Sequence, residues 1–518
     1  MTAKITSGFD IRQLPGNPGE KSALLIAPPI YDTQYWGQWS QPYGLLRIAA
    51  LLKKHRYKRL ELFDFMEVKT GARIHQHRIN PGESFAEKSE PERPVQPHRI
   101  TKPGDPDVLD LFRYHFGKTW QEFEDWLDNK ELTSADPPEE IWISAVMTYW
   151  WESVRDLIVR LRQRFGKKSL IILGGIYPTL VPRHTAEFAK PDIVVVGEVV
   201  EANDLWTDLS LYETPPAYVI LTPSRGCPFD CAYCAQKTIN HGRTAVHVRT
   251  PDDVYAEMRD KWERYGIRDF AFYADFLLWR FEKNFIPLLE QVAATKDVFF
   301  RLHAPEGLDV KLLSQSQRLV DLLKEAHFQK IYLPCESIDD EFVNTLNRKH
   351  VRLEHFVKAV RMCENAGFRL RNMDINAFVL YGLPGETVDR VVKTILFVSE
   401  IVGSIIPMLF TPVPSTVLFQ QYLPYIRSHG WHRELHMLNG KLYPFLEMNE
   451  GLVRDYVDMQ RLMFTLNAHY RNESFQMFGE SQVAEAFREN LRNGFERFVL
   501  QHKDGDILQS TITADCQV

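Results

Sequence analysis

Short apolar strands alternate with helical patterns through most of this chain. Near its start, an apolar run over 21–28 is followed by a helical pattern over 43–55 and by a second apolar run over 60–64. Strands that alternate with helices favour parallel sheets, because each helix carries the chain back to the edge where the next strand begins. With 518 residues, the chain is also too long for one ordinary core. We therefore predict an α/β protein of two or three domains.

The pattern changes along the chain and suggests three domains. Residues 1–210 predict a doubly wound, Rossmann-like parallel sheet, with a loose entry over 1–22 and an irregular insertion over 67–135. Residues 211–428 contain six strand–helix units, which suit a partial (β/α)6 barrel better than a second open sheet. Residues 429–518 are mostly helical by pattern. In both sheet designs, functional groups collect at the carboxyl ends of the strands.

Composition restricts the partners and the compartment. The formal net charge of −6 gives no electrostatic reason to expect a nucleic acid partner. The longest apolar runs have the length of a strand, so no transmembrane segment is predicted, and no signal peptide is recognised. Six cysteines in a chain of this length do not form a disulfide framework. We expect a cytoplasmic protein.

Three of the cysteines, Cys227, Cys231 and Cys234, lie within eight residues of each other and directly after a predicted strand. Three thiolates can hold three irons of a four-iron cluster and leave the fourth iron open, as a catalytic cluster requires. A structural zinc site is the alternative. Zinc takes four ligands, and the nearby candidates for a fourth are the loosely placed His241 and His247. The spacing C-x3-C-x2-C therefore favours an iron–sulfur cluster.

The segment CPFDCAYC resembles the signature of the radical S-adenosylmethionine (SAM) superfamily, and similarities continue downstream. The resemblance implies that a [4Fe–4S] cluster on the three cysteines cleaves SAM to a 5′-deoxyadenosyl radical. It also implies an electron donor such as flavodoxin or ferredoxin. The residues implied to bind SAM lie in the cysteine motif, in FYADF, in LPCES and in YGLPGET: Tyr233, Asp275, Glu336, Ser337, Gly382 and Gly385.

Three features of these motifs leave alternatives open. Pro334 stands where the superfamily usually has a glycine before the acidic residue. Asp275 and Glu336 could be strand-end carboxylates that hold loop amides. Gly382 and Gly385 could simply form a turn. No residue is identified as a catalytic acid or base.

The N-terminal sheet resembles the cobalamin (B12)-binding domain that precedes many radical SAM enzymes. The similarity lies in APP at 27–29, PYGLL at 42–46, ISAV at 143–146, LGG at 173–175 and GE at 197–198. The residues implied to bind cobalamin are Gln34, Ser144, Tyr149, Gly174, Gly175 and Glu198. Glycines at strand ends suit this role because they let a large ligand approach the backbone.

The N-terminal domain also departs from the cobalamin pattern. Domains that ligate cobalt use a D-x-H-x-x-G loop, and Gln34 stands at the histidine position in the segment 32–37. An amide is a poor cobalt ligand, so we expect no histidine on the lower face of the cofactor. The aromatic run 149–151 could pack against the corrin ring or belong to the core. The domain could also have kept the fold and lost the cofactor.

The resemblance implies a cobalamin-dependent methyltransferase that acts on an unactivated carbon of a small-molecule or lipid-like substrate. A radical rearrangement, oxidation or cyclisation, with or without cobalamin, is the alternative within the same class. A non-catalytic iron–sulfur redox sensor is the alternative from another class. The open iron and the downstream SAM motifs speak against the sensor.

Overall fold

The computed structural model describes residues 3–34, 39–67, 98–240, 245–370 and 373–470. Part of the loop that carries Gln34, His241, and the chain after residue 470 lie outside the described residues. The chain forms two compact units. The first comprises residues 1–100, 110–276 and 411–444, and the second comprises 101–109, 277–410 and 445–518. The domain bounds 1–210, 211–428 and 429–518 remain predictions.

The described residues confirm the α/β class. The strands are β1 Lys4–Ser7, β2 Ser22–Ala27, β3 Ile30–Asp32, β4 Arg59–Asp64, β5 His98–Ile100, β6 Leu109–Leu111, β7 Tyr114–Phe116, β8 Glu140–Ser144, β9 Leu170–Gly174, β10 Ile193–Val196, β11 Val219–Leu221, β12 Ser224–Arg225, β13 His247–Val248, β14 Asp269–Phe272, β15 Arg301–His303, β16 Ile331–Glu336, β17 Ile375–Tyr381 and β18 Ser404–Leu409.

The helices alternate with these strands. They are α1 Tyr43–Lys54, α2 Trp120–Asn129, α3 Trp151–Phe165, α4 Ile176–Leu180, α5 Pro182–His184, α6 Gln236–Ile239, α7 Pro251–Tyr265, α8 Phe281–Asn284, α9 Ile286–Ala294, α10 Val310–Leu313, α11 Gln317–Glu325, α12 Asp340–Thr345, α13 Leu353–Asn365, α14 Val388–Ile401, α15 Val417–Gln421, α16 Leu423–Ser428 and α17 Val453–Tyr470.

A six-stranded parallel sheet is the centre of the first unit. Its strand order is β1-β10-β9-β8-β2-β4. The central strands are continuous apolar runs, as in β2 and β9, because helices cover both faces of such a sheet. The chain adds β4 on one side of β2 and β8 on the other, so the strand order reverses at β2. A reversal of this kind opens a crevice at the carboxyl ends of the neighbouring strands.

The six strands predicted for the barrel-type segment are confirmed as β11 and β14 to β18. In the first unit, β11 and β14 pair in parallel. In the second unit, β16, β17 and β18 form a parallel sheet, with a register shift between Pro334 and Glu336. Helix α17 joins this sheet through Asn467, whose side chain accepts a hydrogen bond from the backbone N–H of Ile405 and donates one to its carbonyl, both at 2.7 Å.

Two regions contain more regular structure than their sequence indicates. The entry over 1–22 includes β1, which extends the sheet by pairing with β10. The region 67–135 includes helix α2, which begins with a capping box in which Thr119 and Glu122 bond to each other's backbone N–H. No helix in the described residues is long and apolar enough to cross a membrane.

A buried ion pair lies at the amino-terminal edge of the first sheet. The Lys21 Nζ is 2.8 Å from the Glu140 Oε1, and the two side chains are 7% and 2% exposed. The other carboxylate oxygen of Glu140 accepts hydrogen bonds from the Tyr57 hydroxyl and the Trp142 Nε1, each at 3.0 Å. The charge of Glu140 is therefore neutralised by one lysine inside the core.

We expect Lys21→Met to lower the free energy of unfolding by about 3–5 kcal/mol, because it leaves a buried carboxylate without its cation. The measurement is urea denaturation. Adding Glu140→Gln to this variant should recover part of the loss. The control Arg12→Ala removes an exposed pair with Asp10 and should change stability far less than Lys21→Met. Equal effects of the two single substitutions would contradict the prediction.

Candidate active site

The three motif cysteines lie on the loop that follows β12. All three are free thiols; Cys231 is buried, Cys227 is half-buried and Cys234 is exposed. The backbone N–H of Cys234 donates a hydrogen bond of 3.0 Å to the carbonyl of Cys231, which closes a tight turn between the last two cysteines. The half-buried Tyr233 lies inside this turn. The loop thus presents three thiols on a short, folded segment.

The three sulfur atoms are not grouped as the ligands of a single zinc ion would be. Around one tetrahedral zinc ion, thiolate sulfurs lie about 3.8 Å apart. Among the described residues, the group of three potential ligands whose atoms all lie within 4.8 Å of each other is Glu152, Glu434 and His436, and the three thiols do not form such a group. In an iron–sulfur cube, each thiolate binds a different iron, so its sulfurs are farther apart.

Burial also affects the first of the three thiols. It raises the pKa of Cys227 to about 11, and the neighbouring thiols of Cys234 and Cys231 act in the same direction. The thiol is therefore protonated at neutral pH when no metal is bound. Binding of iron requires the thiolate, so cluster assembly at this position releases a proton.

Asp275 follows β14 and holds the start of the cysteine loop. Its carboxylate accepts hydrogen bonds from the backbone N–H of Gly226 at 2.6 Å and from the Asn240 Nδ2 at 3.2 Å. Its other oxygen is 3.3 Å from the Arg225 Nη1, and the side chain is 3% exposed. The loop-holding role that the sequence left open is thus present in the structure. A contact between Asp275 and the methionine amino group remains a prediction.

Gly226 is required by the backbone path. Its φ of +97° lies in the left-handed region, and an added Cβ would be 2.5 Å from the carbonyl oxygen of Ala245. The glycine therefore lets the segment just before β13 pass against the cysteine loop. Gly226 directly precedes Cys227, and its backbone N–H is held by Asp275.

Arg225 connects the cysteine loop with a cavity in the same unit. Its guanidinium lies 2.8 Å from the Glu198 Oε1, and the same group contacts Asp275. Both Arg225 and Glu198 line a cavity of about 450 Å³ at the carboxyl ends of the strands in the six-stranded sheet. This volume is in the range of small-molecule sites.

The cavity contains four of the six residues predicted to bind cobalamin. Ser144, Gly174, Gly175 and Glu198 line it. Most of the remaining wall is apolar: Ala27, Pro28, Pro29, Ile30, Ile143, Ala145, Val146, Met147, Ile172, Ile176 and Val195. The backbone also requires a glycine at position 175, because Gly175 has a φ of +107° and a Cβ there would collide with the Ala145 carbonyl.

The other two predicted residues, Gln34 and Tyr149, are not among the lining residues. The carbonyl of Gln34 accepts a hydrogen bond from the Lys441 Nζ. The ring of Tyr149 packs edge-on against Trp150, with 5.4 Å between ring centroids, and it is Trp150 that reaches the cavity wall. Their roles toward cobalamin remain predictions.

The fully buried carboxylate of Asp32 organises the loop that carries Gln34. It accepts hydrogen bonds from the Trp150 Nε1 and the Asn439 Nδ2 at 3.0 Å, and it lies 3.0 Å from the Lys441 Nζ. The aspartate of the D-x-H-like segment therefore fixes this loop to the segment around 439–441. It also orients the aromatic residue on the cavity wall.

The second unit carries the remaining predicted SAM residues. Glu336 has a φ of +62° at the end of β16, an unusual conformation for a residue with a side chain, and its carboxylate lies 3.0 Å from the Arg348 Nη2. The Ser337 hydroxyl accepts a hydrogen bond from the Asp339 N–H at 3.2 Å and lies 3.4 Å from the Thr394 hydroxyl. Contacts of Glu336 and Ser337 with ribose remain predictions.

Gly382 and Gly385 lie in one tight turn after β17, with φ values of +84° and +78°. The N–H of Gly382 donates a hydrogen bond of 2.8 Å to the Glu386 carboxylate. The N–H of Gly385 donates one of 2.8 Å to the Asn449 side-chain carbonyl. These amides are committed within the protein, so a ligand beside this turn would meet its carbonyls and its surface.

Several residues of the site were not identified from the sequence. Arg225 directly precedes the Gly–Cys pair, and a cation at that place was a usable signal. Asn240 and Asn449 gave no signal, because each acts on a loop distant in sequence.

Comparisons with known proteins define the class. Residues 221–398 match the profile of the Radical SAM superfamily. The chain therefore contains a radical SAM domain, and the cofactors of such a domain are a [4Fe–4S] cluster and SAM. This match covers the cysteines from Cys227 onward and the turn at Gly382 and Gly385.

Individual relatives extend the similarity beyond this domain. An uncharacterized methyltransferase of Synechocystis is 23% identical over 277 residues, which are 46% of this chain and 50% of that protein. One of Pyrococcus horikoshii is 24% identical over 212 residues, or 40% of this chain and 42% of that protein. The matches thus span about half the length of these relatives.

Among solved structures, the radical SAM methyltransferase TsrM from Kitasatospora setae, with tryptophan substrate and a SAM analogue bound, has a TM-score of 0.52 at 14% identity. The similarity covers 79% of this chain and 77% of TsrM. At this identity it shows that the two proteins share a fold.

Asp275→Asn should lower the iron content after anaerobic reconstitution, because the weaker acceptor releases the loop before Cys227. Residues that orient metal ligands typically contribute about 10–100-fold to metal affinity. Iron per chain is the measurement. The matched control is Asp230→Asn in the same loop, an exposed residue paired with Lys237, which should leave iron unchanged. Full iron content with weakened SAM binding would contradict the loop-holding role and favour a contact with SAM.

Burial raises the pKa of Glu386 to about 7, against the hydrogen bond from Gly382 and the charge of Arg390, which lower it. The folded protein thus holds this proton more tightly than the unfolded chain, so stability falls as the pH rises from about 4.5 through about 7. We expect Glu386→Gln to remove about 2–4 kcal/mol of that pH-dependent loss. Urea denaturation at pH 5 to 8 measures it, with the exposed Glu450→Gln as control. Parallel pH profiles for wild type and Glu386→Gln would contradict the prediction.

Proposed function

We propose that this radical SAM enzyme binds cobalamin in the cavity of its first unit and methylates an unactivated carbon. The position of Arg225 is the observation that carries the proposal. This residue lies on the cavity wall, and Gly226 alone separates it from Cys227. A ligand in the cavity would therefore contact a residue of the same loop that holds the cluster.

The relatives support the same assignment. A second structure of TsrM, with a TM-score of 0.52 and 14% identity, contains cobalamin and a [4Fe–4S] cluster. Both curated relatives are called methyltransferases. The cavity residues Ser144, Gly174, Gly175 and Glu198 are those that the sequence resemblance implies for cobalamin, which the shared fold alone would not require.

In this proposal, the cluster supplies the electron that cleaves SAM, and cobalamin supplies the methyl group. The chain's own residues position and shield these groups. The three cysteines hold the cluster, and Asp275 fixes the loop before them. The apolar wall of the cavity excludes water from the cofactor.

The described wall of the cavity contains no histidine, and its carboxylate, Glu198, is paired with Arg225. We therefore propose that cobalt has no histidine ligand from this chain. We also propose a small-molecule or lipid-like substrate and a flavodoxin or ferredoxin as electron donor, on the basis of the class alone.

The test uses anaerobically reconstituted protein, reduced with dithionite and supplied with methyl-labelled SAM, hydroxocobalamin and a small-molecule extract of the source cells. We expect corrinoid absorption from the desalted protein, 5′-deoxyadenosine, and a product that carries the label. Replacing Cys227, Cys231 and Cys234 by alanine should abolish the label transfer and the iron absorption.

Each other outcome selects an alternative. An altered product without the label would favour a radical rearrangement, oxidation or cyclisation. The absence of both 5′-deoxyadenosine and labelled product would favour a redox sensor and would overturn the proposal.

A further inference from the structure

Arg47 is a buried arginine on the wall of the same cavity. It lies in the middle of α1 among Leu45, Leu46 and Ala49, and it is 6% exposed. The helix positions three and four residues away, Tyr43, Gly44, Ala50 and Leu51, carry no charge, so packing alone gives no reason for a cation here.

Within the described part of the chain, Arg47 has no anionic partner. Its buried Nε has no hydrogen-bond acceptor, and no carboxylate lies within ion-pair distance of its guanidinium. The acid whose charge acts on it most, Glu257, is bonded to the Arg249 Nη1 at 2.7 Å and to the Thr207 N–H at 3.1 Å. That carboxylate is therefore already committed.

The other cation of the cavity differs from Arg47 in this respect. Arg225 is paired with both Glu198 and Asp275. A guanidinium stays charged under all physiological conditions, and a buried charge without a partner is unfavourable. Burial acts on Arg47 in the expected direction and lowers its pKa. Among the residues that the structure describes, Arg47 thus has no ion-pair partner at the cavity, and an anionic ligand group would supply one.

We propose that Arg47 binds the anionic group of the cavity's ligand and that this group is the phosphodiester in the nucleotide tail of cobalamin. The inference rests on the proposed function. The amide side chains of a corrin ring are neutral and need hydrogen-bond partners but no cation, whereas the phosphodiester has a fixed negative charge. Arginine binds phosphate oxygens with two parallel N–H donors, which a neutral side chain cannot replace.

The test compares two corrinoids that differ in this group. Hydroxocobalamin contains the nucleotide tail with its phosphodiester, and cobinamide lacks both. Their affinities for the reconstituted protein are measured by anaerobic spectral titration. We expect Arg47→Met to weaken binding of hydroxocobalamin by about 10-fold or more and to change the affinity for cobinamide by less than about 2-fold. Arg47→Lys, which keeps the charge but not the paired donors, should fall between.

A matched control is Arg113→Met. This arginine is also buried, but it is bonded to Glu152 at 2.6 Å and does not line the cavity. It should alter the two affinities equally. The melting temperature without corrinoid is a second readout: Arg47→Met should be at least as stable as wild type, because it removes a buried unpaired charge, whereas Arg113→Met should be less stable.

The outcomes separate this inference from the proposed function. If wild type and Arg47→Met bind hydroxocobalamin equally, Arg47 does not recognise the phosphodiester. The same conclusion follows if the variant loses affinity for both corrinoids equally and has a lower melting temperature. In both cases the proposal that the wild type binds cobalamin is unaffected. If the wild type binds neither corrinoid, the proposed cofactor and this inference both fail. A carboxylate of the substrate as the partner of Arg47 would give the first of these results.

Discussion

One buried carboxylate connects the chemistry of the first unit with its architecture. Asp275, at the end of a parallel strand, accepts the N–H of Gly226 and contacts Arg225, which in turn reaches Glu198 beyond the end of another sheet. The path of the cysteine loop and the polar side of the cavity thus depend on one set of contacts. A displacement of the cysteine loop would also move the polar side of the cavity, because the Arg225 guanidinium contacts both Asp275 and Glu198.

Charge placement distinguishes scaffold from site in this protein. At the amino-terminal edge of the sheet, the buried charges of Lys21 and Glu140 neutralise each other and hold strands together. At the carboxyl edge, Arg47 has no such partner among the described residues. Satisfied buried charges belong to the fold, whereas an unsatisfied one at a cavity is a structural sign of a missing ligand.

Local patterns predicted the parts of the structure that local forces determine. Strands β2 and β9 could be predicted because a strand buried on both faces is a continuous apolar run. The cluster site could be predicted because its three cysteines are close together in the sequence. Strand β1 was not predicted, because this short edge strand has no apolar run of its own and forms by pairing with β10. The sequence also suggested Gln34 and Tyr149 as cobalamin-binding residues, which remains a prediction. Their contacts with Lys441 and Trp150 join residues distant in sequence or depend on side-chain packing, so no local pattern indicates them.

The unequal exposure of the three thiols affects how long an assembled cluster would survive in air. Cys231 is buried while Cys234 is open to solvent, so an assembled cluster would be exposed on the side of Cys234. The proposed electron donor and dissolved dioxygen would then approach by the same side. Shielding the side of Cys234 would protect the cluster from dioxygen but would lengthen the path for electrons. The same exposure therefore favours both electron transfer and oxidative damage.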